Sequence, residues 1–489
     1  MRAKKLSQLP SIITKRHYIA LALIAIFAIL IFTVPTAIIG KNVKPILAVS
    51  ALVMLSIYLV LSFEIIHRGS LALFGAIIII AAAIALGAIK PEESFAFVLR
   101  TIDFNTIGLL LGMMIIVAIL GETGIFYWIG IKASKLSKGN PWKLMLVLCT
   151  FTAAASMFID NVTTILLMVP VTLSVVRILK LRSPIPFVLS QVLVSNVAGA
   201  ATLIGDPPNI IIGSAANIDF NQFISHMGPV VVILFVVSMI SLKYFFFRND
   251  LKVLPPTISG QGQVQGQQQQ EEKAKEESRG ETREGAQHYQ QARDDSLKEQ
   301  LQRDERTMIK DRSLLKKSMI VLIGVIVLFT MQGLLHLEVS MIALGGAAVL
   351  LVITRAPLEK VLHEVDWATL VFFTGLFIVV GTAQQAGLIK LLSTAAINVT
   401  GGNPWLTFVM VIWLSGLASA FVDNIPFTAT MIPVIQSLNA NPTIAATFVS
   451  NFHISPLWWA LAIGADLGGN GTLVGSSAGI TTIAAKVNR

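Results

Sequence analysis

The dipeptide Asp-Asn interrupts apolar sequence twice, as Asp160-Asn161 and Asp423-Asn424, and the two copies lie 263 residues apart. The first sits in Phe158-Ile159-Asp160-Asn161-Val162-Thr163-Thr164 and runs on to Pro170. The second sits in Phe421-Val422-Asp423-Asn424-Ile425-Pro426-Phe427 and runs on to Pro433. A carboxylate at membrane depth is expensive to hold, so by default it marks a site. Two in matching places constrain the chain to a duplicated, membrane-embedded unit.

The surrounding composition requires the membrane. Of 489 residues, 54% are hydrophobic and 13% charged, and mean hydropathy is +0.75, too apolar for a soluble chain of this length. The apolar runs 18–40, 44–66, 70–89, 228–247 and 318–335 reach or approach the roughly 20 residues of a spanning helix. They are continuous, whereas a β-barrel alternates polar and apolar residues in short segments. The fold class is therefore an all-α polytopic membrane protein of about 10 spans. The single cysteine, Cys149, excludes an intrachain disulfide and reads as packing. A net charge of +10 fits basic loops that set topology, not a nucleic-acid partner.

Residues 248–316 contain Gln267–Gln270 followed by mixed charge, a polar low-complexity linker that cannot form a core. It divides residues 44–247, a first repeat, from 317–489, a second. Residues 1–43 carry a basic N-terminus and a retained first membrane helix. At an offset of 263, Asp103 matches Asp366, Gly112 matches Gly375, Gly124 matches Gly387, and Asn140-Pro141-Trp142 matches Asn403-Pro404-Trp405. Pro170 matches Pro433, and at an offset of 262 Gly213-Ser214 matches Gly475-Ser476.

Loop charge decides between parallel and inverted repeats. With a cytoplasmic N-terminus and one re-entrant hairpin per repeat, the inner segments are 1–17, 64–69, 132–143, 177–182, 355–365 and the C-terminus. They hold 17 Lys or Arg, against 5 in the outer segments 41–44, 90–103, 214–227, 336–339, 388–403 and 437–443. The positive-inside rule favours this layout. The two hairpins then enter from opposite sides, and the linker is cytoplasmic.

Each half carries a second polar break. One reads Gly205-Asp206-Pro207-Pro208-Asn209 and the other Asp466-Leu467-Gly468-Gly469-Asn470-Gly471-Thr472. Proline removes donors and clashes with the preceding turn. Unwound backbone at membrane depth is tolerated only inside protein or beside a water-filled cavity. The expected midplane site draws on Asp160, Asn161, Thr164, Asp206, Asn209, Asp423, Asn424, Thr428, Asp466 and Asn470. Each could instead be a helix cap, since Asp and Asn are preferred there; recurrence in both halves favours a site. Ser195 and Asn196, upstream of Gly205, could face it or serve helix packing. Glu122 reads as a helix-end residue, with a proton relay as the alternative; its repeat partner is Gln385. Trp142 and Trp405 read as interfacial anchors, and His453 as a span-end residue. No membrane-site arginine is expected that would clamp an anion, which lowers the anion case, although helix N-termini could serve instead.

Residues 160–172, 205–212, 423–434 and 467–475, together with Glu122-Thr123-Gly124, resemble one group of the ion transporter superfamily. That group holds P-protein, arsenite-permease and NhaD-type antiporter sequences with a citrate-transporter-like domain. The resemblance implies a scaffold, a mobile subdomain with two opposed hairpins, 11 spans in the usual member, and a homodimer. Asp160 and Asp423 stand where the superfamily's dicarboxylate symporters have Ser, which suits H⁺ or Na⁺ binding. Where the group continues to a final membrane helix, the second repeat is expected to lack it.

The functional expectation is a secondary active ion transporter working by alternating access, with Na⁺/H⁺ antiport or arsenite or anion transport as its substrate classes. No cofactor is expected beyond Na⁺ or H⁺ as coupling ion, at the same site. The partners are the bilayer, a small ion, a second copy, and an ATPase in the arsenite case. The alternatives are a channel-like conductance or a non-transporting membrane scaffold on the same fold. No phosphate loop, Ser-His-Asp set or His/Glu metal spacing favours an enzyme.

Overall fold

In the computed structural model the described residues are 45–63, 66–138, 140–179, 181, 183–247 and 309–472. The expected first membrane helix, nearly all of the linker and the region of the second repeat's last helix lie outside them. All regular elements among the described residues are helical. In the first half they are α1 (Pro45–Ser62), α2 (Arg68–Ala85), α3 (Ser94–Thr101), α4 (Phe104–Glu122), α5 (Ile125–Ser137), α6 (Pro141–Ser156), α7 (Asn161–Ile178), α8 (Ile185–Gly199), α9 (Pro207–Ala216) and α10 (Phe220–Phe247). In the second they are α11 (Arg312–Thr330), α12 (Val339–Thr354), α13 (Leu358–His363), α14 (Trp367–Gln385), α15 (Leu388–Thr400), α16 (Pro404–Phe421), α17 (Asn424–Asn439) and α18 (Pro456–Gly468). Eight described helices are long and apolar enough to cross a membrane. The protein is a multi-pass membrane protein. α11 begins at Arg312, capped by Asp311, five residues before the boundary expected at 317.

The repeated residues recur as the same local devices. Asp103 and Asp366 cap α4 and α14: each carboxylate accepts backbone N–H bonds from the first turn, and Thr106 and Thr369 donate to them at 2.6 Å. Such caps satisfy N–H groups that a helix start leaves orphaned. Asn140 and Asn403 cap α6 and α16, with Pro141 and Pro404 just inside the helix. Gly124 (φ 82°) and Gly387 (φ 92°) make the sharp turns from α4 into α5 and from α14 into α15, a left-handed conformation that costs other residues about 1–2 kcal/mol.

The two halves are built into each other. α4 of the first packs on α12 of the second, and α14 of the second packs on α2 of the first. Both crossings run through a glycine of the repeat. A Cβ on Gly112 would lie 2.5 Å from the Ala343 carbonyl carbon, and one on Gly375 would lie 2.6 Å from that of Ala72. Without a hydrophobic drive between helices in lipid, such close approach supplies packing instead. Each half also folds a helical hairpin, α6–α7 and α16–α17, whose first arm packs on α8 or α18. Pro170 and Pro433 lie inside the second arms.

Candidate functional site

The two hairpins end at one carboxylate. Asp206 stands at the start of α9, yet its side chain makes no capping bond. Pro207 and Pro208 follow it, and neither has an N–H to offer. The Asp206 carboxylate is buried and turns away from its own helix. Its Oδ2 accepts from Asn161 Nδ2 at 2.9 Å and from Asn424 Nδ2 at 3.3 Å. Asn161 opens α7 and Asn424 opens α17, so Asp206 joins the tips of both hairpins.

Asn196 on α8 extends the network. Its Oδ1 accepts from Asn161 at 3.0 Å, and its Nδ2 donates to Asn470 Oδ1 at 2.9 Å. Asn470 in turn donates to the Leu193 carbonyl at 3.2 Å. The chain Asn470–Asn196–Asn161–Asp206–Asn424 thus crosses between the repeats twice. Ser195 bonds Ser156 and the Asn161 carbonyl. Of the two roles open to Ser195 and Asn196, Asn196 takes a place in the cluster and Ser195 braces it.

Several oxygens in the cluster have no hydrogen-bond partner among the described residues. They are Asp206 Oδ1, both Asp466 oxygens, Asn209 Oδ1 and Thr428 Oγ1, all on buried side chains. Asn209 lies beside the Asp466 carboxylate without a well-formed bond to it; its amide instead donates to the Gly199 and Thr202 carbonyls at 3.3 and 3.4 Å, across the break between α8 and α9. Asp206 is within electrostatic range of Asp466, Asp423 and Asp160. Unpaired buried carboxylates are costly unless a proton or a cation neutralises them.

The tip aspartates are caps as well as members of the cluster. Asp160 accepts from Thr163 N at 2.9 Å and is half-buried beside Leu109, Leu110 and Ile204. Asp423 accepts from Ile425 N at 3.1 Å and is buried. Thr164 is buried and donates to the Ile159 carbonyl at 3.3 Å. Glu122 ion-pairs with Lys360 of α13 at 3.0 Å, and His453 is exposed. Trp405 is exposed and stacks edge-on with Phe448, while Trp142 lies under Lys243.

Two expectations need correction. The second-half break does not align with the first at an offset of 262. Ser156 Oγ donates to the Ser195 carbonyl and Ser419 Oγ to that of Ala465, at 2.9 and 2.7 Å. Thr202 and Thr472 hydroxyls bond the Met157 and Ala420 carbonyls in the same way. Hairpins therefore pair at 263, but broken helices pair at 270, with Asn196 equivalent to Asp466. The extra residues fall in 440–455, where α17 is followed by a short helical turn and a π-helical segment at Ala445–Val449. In that register Thr202-Leu203-Ile204-Gly205 matches Thr472-Leu473-Val474-Gly475, and Asp206 matches Ser476; residues from 473 on lie outside the described ones. The breaks are complementary: one carboxylate precedes the unwound stretch, the other follows it.

The second correction concerns cations. Arg68, at the start of α2, places Nη1 3.8 Å from Asp423 Oδ2. Sequence reading had counted Arg68 only as inner-loop charge, because it lies outside the repeated motifs. Tyr58 of α1 was likewise hidden in an apolar run. Its hydroxyl donates to the Pro426 carbonyl at 2.8 Å and shares a hydrogen bond with Thr430.

Residues 57–464 match the family model described as citrate transporter, a range that holds both hairpins and the network from Asn196 to Asn424. The chain belongs to the citrate transporter family. Within that family it is 36% identical over 426 residues to a 46 kDa membrane protein of Mycobacterium leprae, covering 87% of each chain. It is 34% identical over 435 residues to an uncharacterized transporter of Mycobacterium tuberculosis, covering 89% of each. It is also 35% identical over 480 residues to the P protein of Mus musculus, covering 90% of this chain and 56% of that one. Membership in the citrate transporter family makes this chain a membrane transporter.

Proposed function

We propose that the protein is a secondary active carrier of a small ion, coupled to H⁺ or Na⁺ and working by alternating access. The observation that carries this reading is Asp206 held by one asparagine from each hairpin tip. A carboxylate shared by two hairpins of opposite repeats links ion occupancy to the packing of both. The unpartnered oxygens of Asp206, Asp466, Asn209 and Thr428 are hard donors, suited to a proton or an alkali cation. Asp160 and Asp423 add charge at the tips, and the cation neutralises a set that includes four buried or half-buried carboxylates.

A polar cavity near the first break is compatible with the reading. A cavity of about 500 Å³ is lined by Asn105, Asn217, Asp219, Gln222, His336 and Glu338 and reaches Leu203, three residues before Asp206. Loop charge assigns these connections to the outer side. Na⁺/H⁺ antiport fits the carboxylates most directly; arsenite, neutral near pH 7, needs no positive site and remains a second substrate class. A homodimer, and an ATPase partner in the arsenite case, belong to the same proposal.

The test is reconstitution of the full chain in liposomes. Dissipation of a pH gradient is followed with Na⁺, Li⁺, arsenite and small carboxylates in turn. Cation-coupled flux is expected for the wild type and its loss for Asp160→Asn and Asp423→Asn. Variants that transport as well as wild type remove the tip aspartates from the site.

A further inference from the structure

The two hairpin tips are equivalent in sequence but sit in opposite electrostatic settings. Asp160 lies within range of the Asp366 carboxylate. Asp423 lies 3.8 Å from the Arg68 guanidinium. The asymmetry is built into the repeats. Gly112 meets Ala343 where Gly375 meets Ala72, so α2 and α12 correspond at an offset of 271, and the residue equivalent to Arg68 is Val339. One tip has a cation on the neighbouring helix; at the corresponding place the other repeat has an apolar residue.

The contact also ties α2 to the start of α17. Arg68 belongs to α2, which packs on α1 and α14. Asp423 belongs to the hairpin tip. A second tie lies alongside: Tyr58 of α1 bonds the Pro426 carbonyl and Thr430 one turn into α17, and Met54 of α1 touches Thr430. Both ties hold the first turns of α17 to α1–α2. Arginine stays protonated at any working pH, so its charge cannot be switched off beside Asp423. It can only be moved.

The geometry points to Arg68 as a positioning residue: its guanidinium is a tethered counter-ion for Asp423, which an incoming cation displaces, releasing the second hairpin tip from α1–α2. This rests on the carrier reading, in which Asp423 takes part in cation binding. Displacement lowers apparent affinity to the intrinsic value multiplied by the fraction of molecules already unlatched. By reciprocity, whatever loosens the latch raises cation affinity by the same factor.

The test uses the full chain in liposomes and in detergent, with sodium as the first cation and lithium as the second. Arg68→Gln is expected to lower the half-saturating cation concentration about three- to tenfold. Hydrogen exchange at amides 425–430 reads the latch without relying on flux. In the wild type, saturating cation is expected to raise exchange there; in Arg68→Gln it is already raised without cation. Arg68→Lys, which keeps a charge, is expected to return both readouts towards wild type and controls for misfolding. An Arg68→Gln protein that loses turnover at an unchanged half-saturating concentration overturns the counter-ion role and leaves the carrier reading standing. A wild type without cation-dependent flux overturns the carrier reading and with it the displacement step. In that case unchanged exchange at 425–430 in Arg68→Gln overturns the latch as well.

Discussion

At the scale of single residues, side-chain chemistry follows from which partners the backbone leaves free. Asp206 sits where an aspartate normally caps a helix, and it serves the two tip asparagines instead. Asp206→Asn keeps its shape but removes the charge. It is expected to weaken cation affinity by about 2 kcal/mol or more, roughly 30-fold, as loss of a buried charge partner does; titration of cation-dependent flux measures it. Asn161→Ala and Asn424→Ala should each cost less, because each leaves the carboxylate its other amide. Gly112→Ala puts a methyl 2.5 Å from a backbone carbon of α12. Overpacking of that kind costs about 1–3 kcal/mol and should appear as a lowered unfolding temperature of the detergent-solubilised protein. The tip aspartates and asparagines and the glycines were legible because they recur at one offset, whereas Asp206 and Asp466 stood out only as carboxylates beside a helix break. Arg68 and Tyr58 were not, because their partners lie more than 350 residues away and nothing local distinguishes them.

At the scale of elements, the breaks and turns carry the design. The double proline after Asp206 withholds the N–H groups that would draw its carboxylate back to α9. Pro208→Ala restores one such donor. It should reduce coupled flux while leaving the unfolding temperature nearly unchanged, since the capping bond that α9 gains, about 1 kcal/mol, replaces the bonds that Asp206 gives up to the tip asparagines. The turn glycines make a cleaner case for backbone conformation. A Cβ on Gly387 would meet no atom within 4 Å, so Gly387→Ala isolates the cost of its positive φ, about 1–2 kcal/mol, readable in thermal unfolding. Helix starts were readable too, since Asn-Pro and Asp caps recur in both halves. The relation between the two breaks was not. Seven extra residues (270 − 263) shift its register, and only the paired serine and threonine bonds to hairpin carbonyls reveal the shift.

For the whole molecule, the exchange of α4 and α14 between halves makes each repeat incomplete alone. The polar linker is the one connection whose loss the packing should tolerate. A protease site placed in 260–290 should be cut in inside-out vesicles and protected in right-side-out ones. The two fragments should then co-purify, held by α4 on α12 and α2 on α14. Cutting from the opposite side would reverse the orientation read from loop charge, and separation of the fragments would deny the interlock. The network Asn470–Asn196–Asn161–Asp206–Asn424 spans the same divide.

By itself, the sequence determined the membrane class, the duplication and the residue types at the site. These follow from local costs: apolar length against the bilayer, a carboxylate in an apolar run, a proline or glycine where a helix must stop. Tertiary structure alone decided that Asp206 is the meeting point of both hairpins, that Asn196 and Asp466 are counterparts, and that one tip faces an arginine. Those relations depend on how helices distant in sequence cross. A crossing is set by packing over a whole interface, which no single segment encodes.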